Sequence, residues 1–106
     1  MVSIGFRCSN SDYTYAVLSK INSNLKLIHC KTIPFPANYT IAKSLQWFYR
    51  EVEALLNKHE VNIITIKKDE SMSKGNAHEI RVEHEAIIYL VGIENNITCT
   101  YISFCI

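Results

Sequence analysis

The hydrophobic period of this chain first changes at Pro34-Phe35-Pro36. Proline has no amide to give a sheet ladder, so a central strand cannot run through that tripeptide. Before it, apolar residues alternate with polar ones; after it, they first recur every three or four positions, the spacing of a helix. A chain written this way starts a sheet with hairpins and extends it through crossover helices.

Ser3 to Cys8 reads as a first strand, Ser9-Asn10-Ser11-Asp12 as a turn, and Tyr13 to Ser19 as a second strand with Tyr13, Tyr15 and Val17 on one face. Asn22-Ser23-Asn24 separates it from a third strand, Leu25 to Ile33, in which Leu25, Leu27 and His29 oppose Lys26, Ile28 and Cys30. Beyond the prolines, Thr40 is an N-cap, and Ile41, Leu45, Phe48, Val52 and Leu55 form the stripe of an amphipathic helix running to about Lys58. Val61 to Ile66, rich in β-branched residues, is a buried strand. Asp69 to Asn76 is a loop. A second helix, Ala77 to Glu94, follows, with Ile80, Ala86, Ile87, Leu90 and Val91 facing inward and Glu79, Arg81, Glu83 and Glu85 outward. Ile97 to Ile106 closes the chain as a strand of little charge and high β-propensity, which at a sheet edge would pair with a second copy as a homodimer, the alternative being a place inside the sheet. The order β-β-β-α-β-α-β implies an α/β fold: a mixed five-stranded sheet flanked by two helices.

At 106 residues, 48% hydrophobic and 20% charged, the chain is expected to form a single domain over residues 1–106. The formal net charge of +1 gives no broad field for a polyanion, so nucleic-acid binding requires a local basic cluster. No apolar run reaches the roughly 18 residues that cross a bilayer, and the N-terminus lacks the order of a signal peptide. A cytoplasmic protein without membrane contact is expected. Cys8, Cys30, Cys99 and Cys105 are widely spaced and read as reduced thiols, not as a zinc or redox motif.

Two apolar strands each end at a cation, the first at Arg7 and the fourth at Lys67-Lys68. Neighbouring strands would bring these residues to one sheet edge, where α/β folds gather ligands. With Lys74 they make a candidate anion site, Arg7 gripping a phosphate or carboxylate through its planar fork and the lysines adding point charge. The plainer reading is solvated strand ends paired with Asp12, Asp69 or Glu70. Trp47 and Arg50 lie beside the helix stripe and form a candidate partner face, against which stands simple packing of Trp47 on the sheet flank. His84 falls on the core side as a hydrogen-bonded structural histidine, and His78 shares no face with it, so the two make no metal pair.

The opening Ile4-Gly5-Phe6, the mid-chain Ile63-Ile64-Thr65-Ile66 after a long helix, and Lys74-Gly75-Asn76 leading into another helix resemble the ribonuclease H-like superfamily, in particular RuvC-type resolvases and their small relatives. In such nucleases the first strand ends in an aspartate and the strand after the first helix in a glutamate, which help hold divalent metal ions. Carried onto this sequence, those positions are Arg7 and Lys67, and the family's later acidic helix would follow Ile106. The resemblance thus implies a ribonuclease H-like domain acting by binding and not as an enzyme, with no metal, no cofactor and no catalytic residue. DNA or RNA is the expected partner. The alternatives are a protein-interaction module, subunit or inhibitor, and, behind it, a nuclease with a relocated metal site at Asp12, Asp69 and Glu70.

Overall fold

The computed structural model describes residues 1–68 and 76–103. The chain folds as β1 (Val2–Cys8), β2 (Asp12–Ile21), β3 (Asn24–Pro34), α1 (Ile41–His59), β4 (Ile63–Lys68), α2 (Asn76–Glu94) and β5 (Thr98–Ser103). The five strands form one sheet in the order β3-β2-β1-β4-β5. β1, β2 and β3 pair antiparallel as a meander, whereas β1–β4 and β4–β5 are parallel. This is the mixed α/β sheet that the change of period implies.

Local chemistry accounts for the element ends. Asn22 and Ser23, both at positive φ, make the tight turn between β2 and β3. The Thr40 hydroxyl caps α1 by accepting from the Lys43 amide at 3.2 Å, and Glu60 ends the helix in the left-handed region. β1 and β4 are clamped at their starts by Asn62, whose amide donates to the Val2 carbonyl and whose Oδ1 accepts from the Val2 amide, each at 2.8 Å. β4 therefore begins two residues later than Val61. Val61 is buried in the connection instead, and the strand runs on through Lys67.

The core lies between the helices and one sheet face. Ile4, Phe6 and Cys8 of β1, Tyr13, Tyr15 and Val17 of β2, and Ile64 and Ile66 of β4 pack with Phe48, Val52, Leu56, Ile88 and Val91. On α1 the buried line is Ser44, Phe48, Val52 and Leu56, one residue off the expected stripe at both ends, and Ile41 is exposed. The inward face of α2 is a larger correction. Arg81, His84, Glu85, Ile88 and Val91 are buried, while Ala86 and Leu90 are exposed. Arg81 and Glu85 can turn inward because they pair, Nη1 to Oε2 at 3.2 Å, and so keep each other's charge compensated. β3, an edge strand, is exposed along almost its whole length, and the pairing slips at Val17/Leu18, so Leu25 and Leu27 stand in solvent. β5 is the opposite edge, which decides between the edge and interior positions left open by the sequence; residues 104–106, assigned to the strand from sequence, lie outside the described ones.

Candidate functional site

Side chains alternate across a strand, so the residues between the core positions of β1, β2 and β4 face the opposite side of the sheet. Arg7 of β1 lies across from Thr14 of β2, and Phe6 is in register with Ile66 of β4, which sets Arg7 beside Lys67. The two cations expected to converge do so: both are exposed, and both line one shallow cavity of about 180 Å³ whose floor includes Gly5, Ala16 and Thr65. Lys74 lies outside the described residues, as does the side chain of Lys68. Arg7 also borders a second cavity, of about 380 Å³, with Thr14, Thr32 and the Ser9–Asp12 turn. The Thr14 and Thr32 hydroxyls are hydrogen-bonded at 2.8 Å, and Thr65 meets Thr100 at 3.5 Å, so this face presents hydroxyls beside its cations.

Asp12 is held by the turn. Its carboxylate accepts from the Ser9 hydroxyl at 2.9 Å, and its amide donates to the same hydroxyl at 3.1 Å. Asp69 and Glu70, the other two acids of the relocated metal reading, lie outside the described residues. Among the described residues no three His, Cys, Asp or Glu side chains are grouped to hold an ion. A hard divalent cation needs clustered oxygen ligands, and the described ends of β1 and β4 offer cations, so these residues do not fit a metal centre.

The candidate partner face divides. Trp47 is half-buried with its ring edge-on to Tyr13 at 6.1 Å and to Phe35 at 6.4 Å, so it packs on the sheet flank; Arg50 is exposed. Cys8, Cys30 and Cys99 are free thiols. Burial, and then the Glu85 carboxylate, push the Cys8 thiol up, and burial raises Cys99 to about 11, so neither is a thiolate at neutral pH.

No family model matches the chain, and no curated protein matches it in sequence. Solved structures do. Thermus thermophilus RuvC in complex with a Holliday junction substrate superposes with a TM-score of 0.86 at 8% identity, covering 98% of this chain and 66% of that one. The fold is that of RuvC. The yeast mitochondrial Holliday junction resolvase follows at a TM-score of 0.73 and 9% identity, over 95% of this chain and 50% of its own. The fowlpox virus Holliday junction resolvase gives 0.65 at 14%, over 97% and 61%. The chain thus spans between half and two thirds of these proteins, which share its ribonuclease H-like fold. One expectation is overturned by them. A non-enzymatic domain was inferred from Arg7 and Lys67, but the RuvC-like architecture is an enzyme scaffold, that of junction resolvases. No helix among the described residues is long and apolar enough to cross a membrane.

Sequence reasoning placed His84 in the RuvC-like core but missed its setting. His84 Nε2 is 3.0 Å from the hydroxyl of Ser44, forty positions away on the other helix, and Nδ1 is 2.8 Å from the Ile80 carbonyl. Phe35, from the proline segment, stacks on the imidazole at 4.0 Å. No spacing in the sequence links these three residues, because the contact arises only when two crossover helices lie side by side.

Proposed function

We propose that this domain binds the sugar-phosphate backbone of DNA through the open sheet face at the ends of β1 and β4. The observation that carries the reading is the parallel register that sets Arg7 beside Lys67 on one cavity wall. Guanidinium and ammonium groups side by side suit a phosphate, and the hydroxyls of Thr14, Thr32 and Thr65 add donors of the kind that position a duplex without reading its sequence. The domain's structural neighbours include Holliday junction resolvases, among them RuvC in complex with a junction substrate, which makes a four-way junction the probe to use.

Fluorescence anisotropy with a labelled four-way junction and a linear duplex, across about 25 to 200 mM salt, tests this. Binding should weaken steeply with salt. Arg7→Ala/Lys67→Ala removes two cations from a net charge of +1 and leaves −1, so the domain keeps no global attraction to compensate. The double variant should bind more weakly on both probes and lose roughly two from the log–log salt slope, about 0.9 per phosphate contact. An unchanged slope, or no binding of either probe at low salt, ends the proposal. A second reading, self-association, is favoured by the exposed apolar side chains flanking the β5 edge.

A further inference from the structure

The cavity that holds Ser44 and His84 has a volume of about 600 Å³ and opens between the N-terminal turns of α1, the first turns of α2 and the segment after β3. The hydrogen-bonding polarity of the Ser44–His84 pair is fixed by one carbonyl. The Ile80 oxygen can only accept, so His84 Nδ1 carries the proton that joins them. Nε2 of the neutral ring is then an acceptor, and the Ser44 hydroxyl must donate its hydrogen to it. What Ser44 Oγ retains toward the cavity is lone pairs. Burial lowers the pKa of His84 and Phe35 covers its ring, both of which favour the neutral form on which this chain of donors depends.

The mouth repeats the same polarity with charge. Glu79 and Glu83 both line it, four residues apart on one side of α2 and therefore about 6 Å apart at their Cβ atoms. Both are exposed, and neither is held in a hydrogen bond or ion pair among the described residues. No lysine or arginine lines the cavity among the described residues. The same cavity is lined by apolar surfaces of Phe35, Ile41 and Ile80. An anion is repelled here, and a neutral apolar molecule leaves the carboxylates idle. A flexible aliphatic chain with a donor-only cationic head suits the two carboxylates, the Ser44 lone pairs and the apolar lining together, while the Asn10, Ser11 and Tyr39 side chains also border the cavity.

We infer that this cavity is a binding site for an alkyl guanidinium or alkyl ammonium group, the chemistry shared by arginine and lysine side chains and by free polyamines. Glu79 and Glu83 supply the countercharge, Ser44 Oγ accepts a hydrogen bond, and Phe35, Ile41 and Ile80 cover the stem. The inference goes beyond the nucleic-acid reading and does not rest on it, since it uses neither Arg7 nor Lys67.

The test is an NMR titration of the ¹⁵N-labelled protein with n-butylguanidinium chloride, n-butylammonium chloride and, as the neutral control, 1-butanol. Both cations should shift the amides of Ser44, Ile80 and Glu83 saturably, with dissociation constants in the roughly millimolar range of so small a ligand, and 1-butanol should not. Glu79→Gln/Glu83→Gln, two exposed changes that leave the fold intact, should weaken cation binding at least tenfold. Ser44→Ala should weaken it severalfold in a protein whose amide spectrum shows that it is folded. Nα-acetyl-arginine amide and spermidine then separate the two sources: tighter binding of the first assigns a protein side chain, and of the second a free polyamine. Equal shifts with 1-butanol, unaltered binding in the double glutamine variant, or no saturable shift with either cation overturns the inference.

Discussion

His84 is the residue whose chemistry most depends on the fold. It is 1% exposed, wedged between the Ser44 hydroxyl, the Ile80 carbonyl and the rings of Phe35 and Phe48. Burial lowers its pKa from the ordinary 6.5, against smaller upward pulls from the Ile80 carbonyl and the Glu83 carboxylate. His59 is also lowered, by burial first and then by the charges of Lys58 and His29. The unfolded chain therefore takes up protons near pH 6.5 that the folded chain refuses, so stability is complete above that pH and falls as pH drops toward the folded-state values. Melting temperature should decline from pH 7 to pH 5, and His84→Gln, though less stable throughout, should show a shallower decline over the same interval. Thermal denaturation followed by circular dichroism reads both; a slope the substitution does not alter would show that His84 is not the group that titrates.

Among the elements, the two sheet edges contrast. β3 carries Lys26 and Lys31, a register slip and a terminal proline, all devices that discourage strand addition, whereas β5, Thr98–Ser103, has no charge and no proline. Beside β5, Ile93 is 73% exposed and Leu90, Tyr101 and Ile102 are each more than 40% exposed. An uncharged strand edge can pair antiparallel with its own copy about a two-fold axis without like-charge repulsion. A concentration-dependent dimer is expected in sedimentation velocity, and Ile93→Lys should shift it to monomer; a wild-type protein that stays monomeric at all concentrations removes this reading. The strand was legible in the sequence because low charge and β-branching persist in Ile97 to Ile102, but those same features suit the interior of a sheet as well as its edge, so its edge position was not. The rotation of α2 was not, since Arg81 and Glu85 look like surface residues until their mutual pairing puts both inside. α1 was read almost to the residue, its apolar spacing and Thr40 cap both being local signals. The convergence of Arg7 and Lys67 was legible too, because strand ends follow from period and charge. The cavity around Ser44 was hidden, because it depends on how two helices meet.

At the scale of the whole molecule, the sheet is packed on one side, and its glycines report which. Gly92 of α2 lies against the packed face: a Cβ there would come within 3.2 Å of Ile64 Cδ1, 3.6 Å of the Ile97 carbonyl and 3.8 Å of Cys99 Cβ. Ile64 is fully buried, so it has little space in which to give way. The helix-propensity gain of about 1 kcal/mol for Gly92→Ala should be outweighed by about 1–3 kcal/mol of overpacking, and the variant should be less stable. Gly5 of β1 faces the other way, between Ala16 and Thr65 in the row beside Arg7 and Lys67. A Cβ there meets only the Thr65 carbonyl, at an ordinary 3.9 Å. Gly5→Ala restricts the unfolded chain without crowding the folded one, and should leave stability unchanged or raise it by up to about 1 kcal/mol. Chemical denaturation of the two variants side by side measures the difference between the faces. If Gly5→Ala costs as much as Gly92→Ala, a packed layer covers the face on which Arg7 and Lys67 stand, and a DNA backbone cannot reach them.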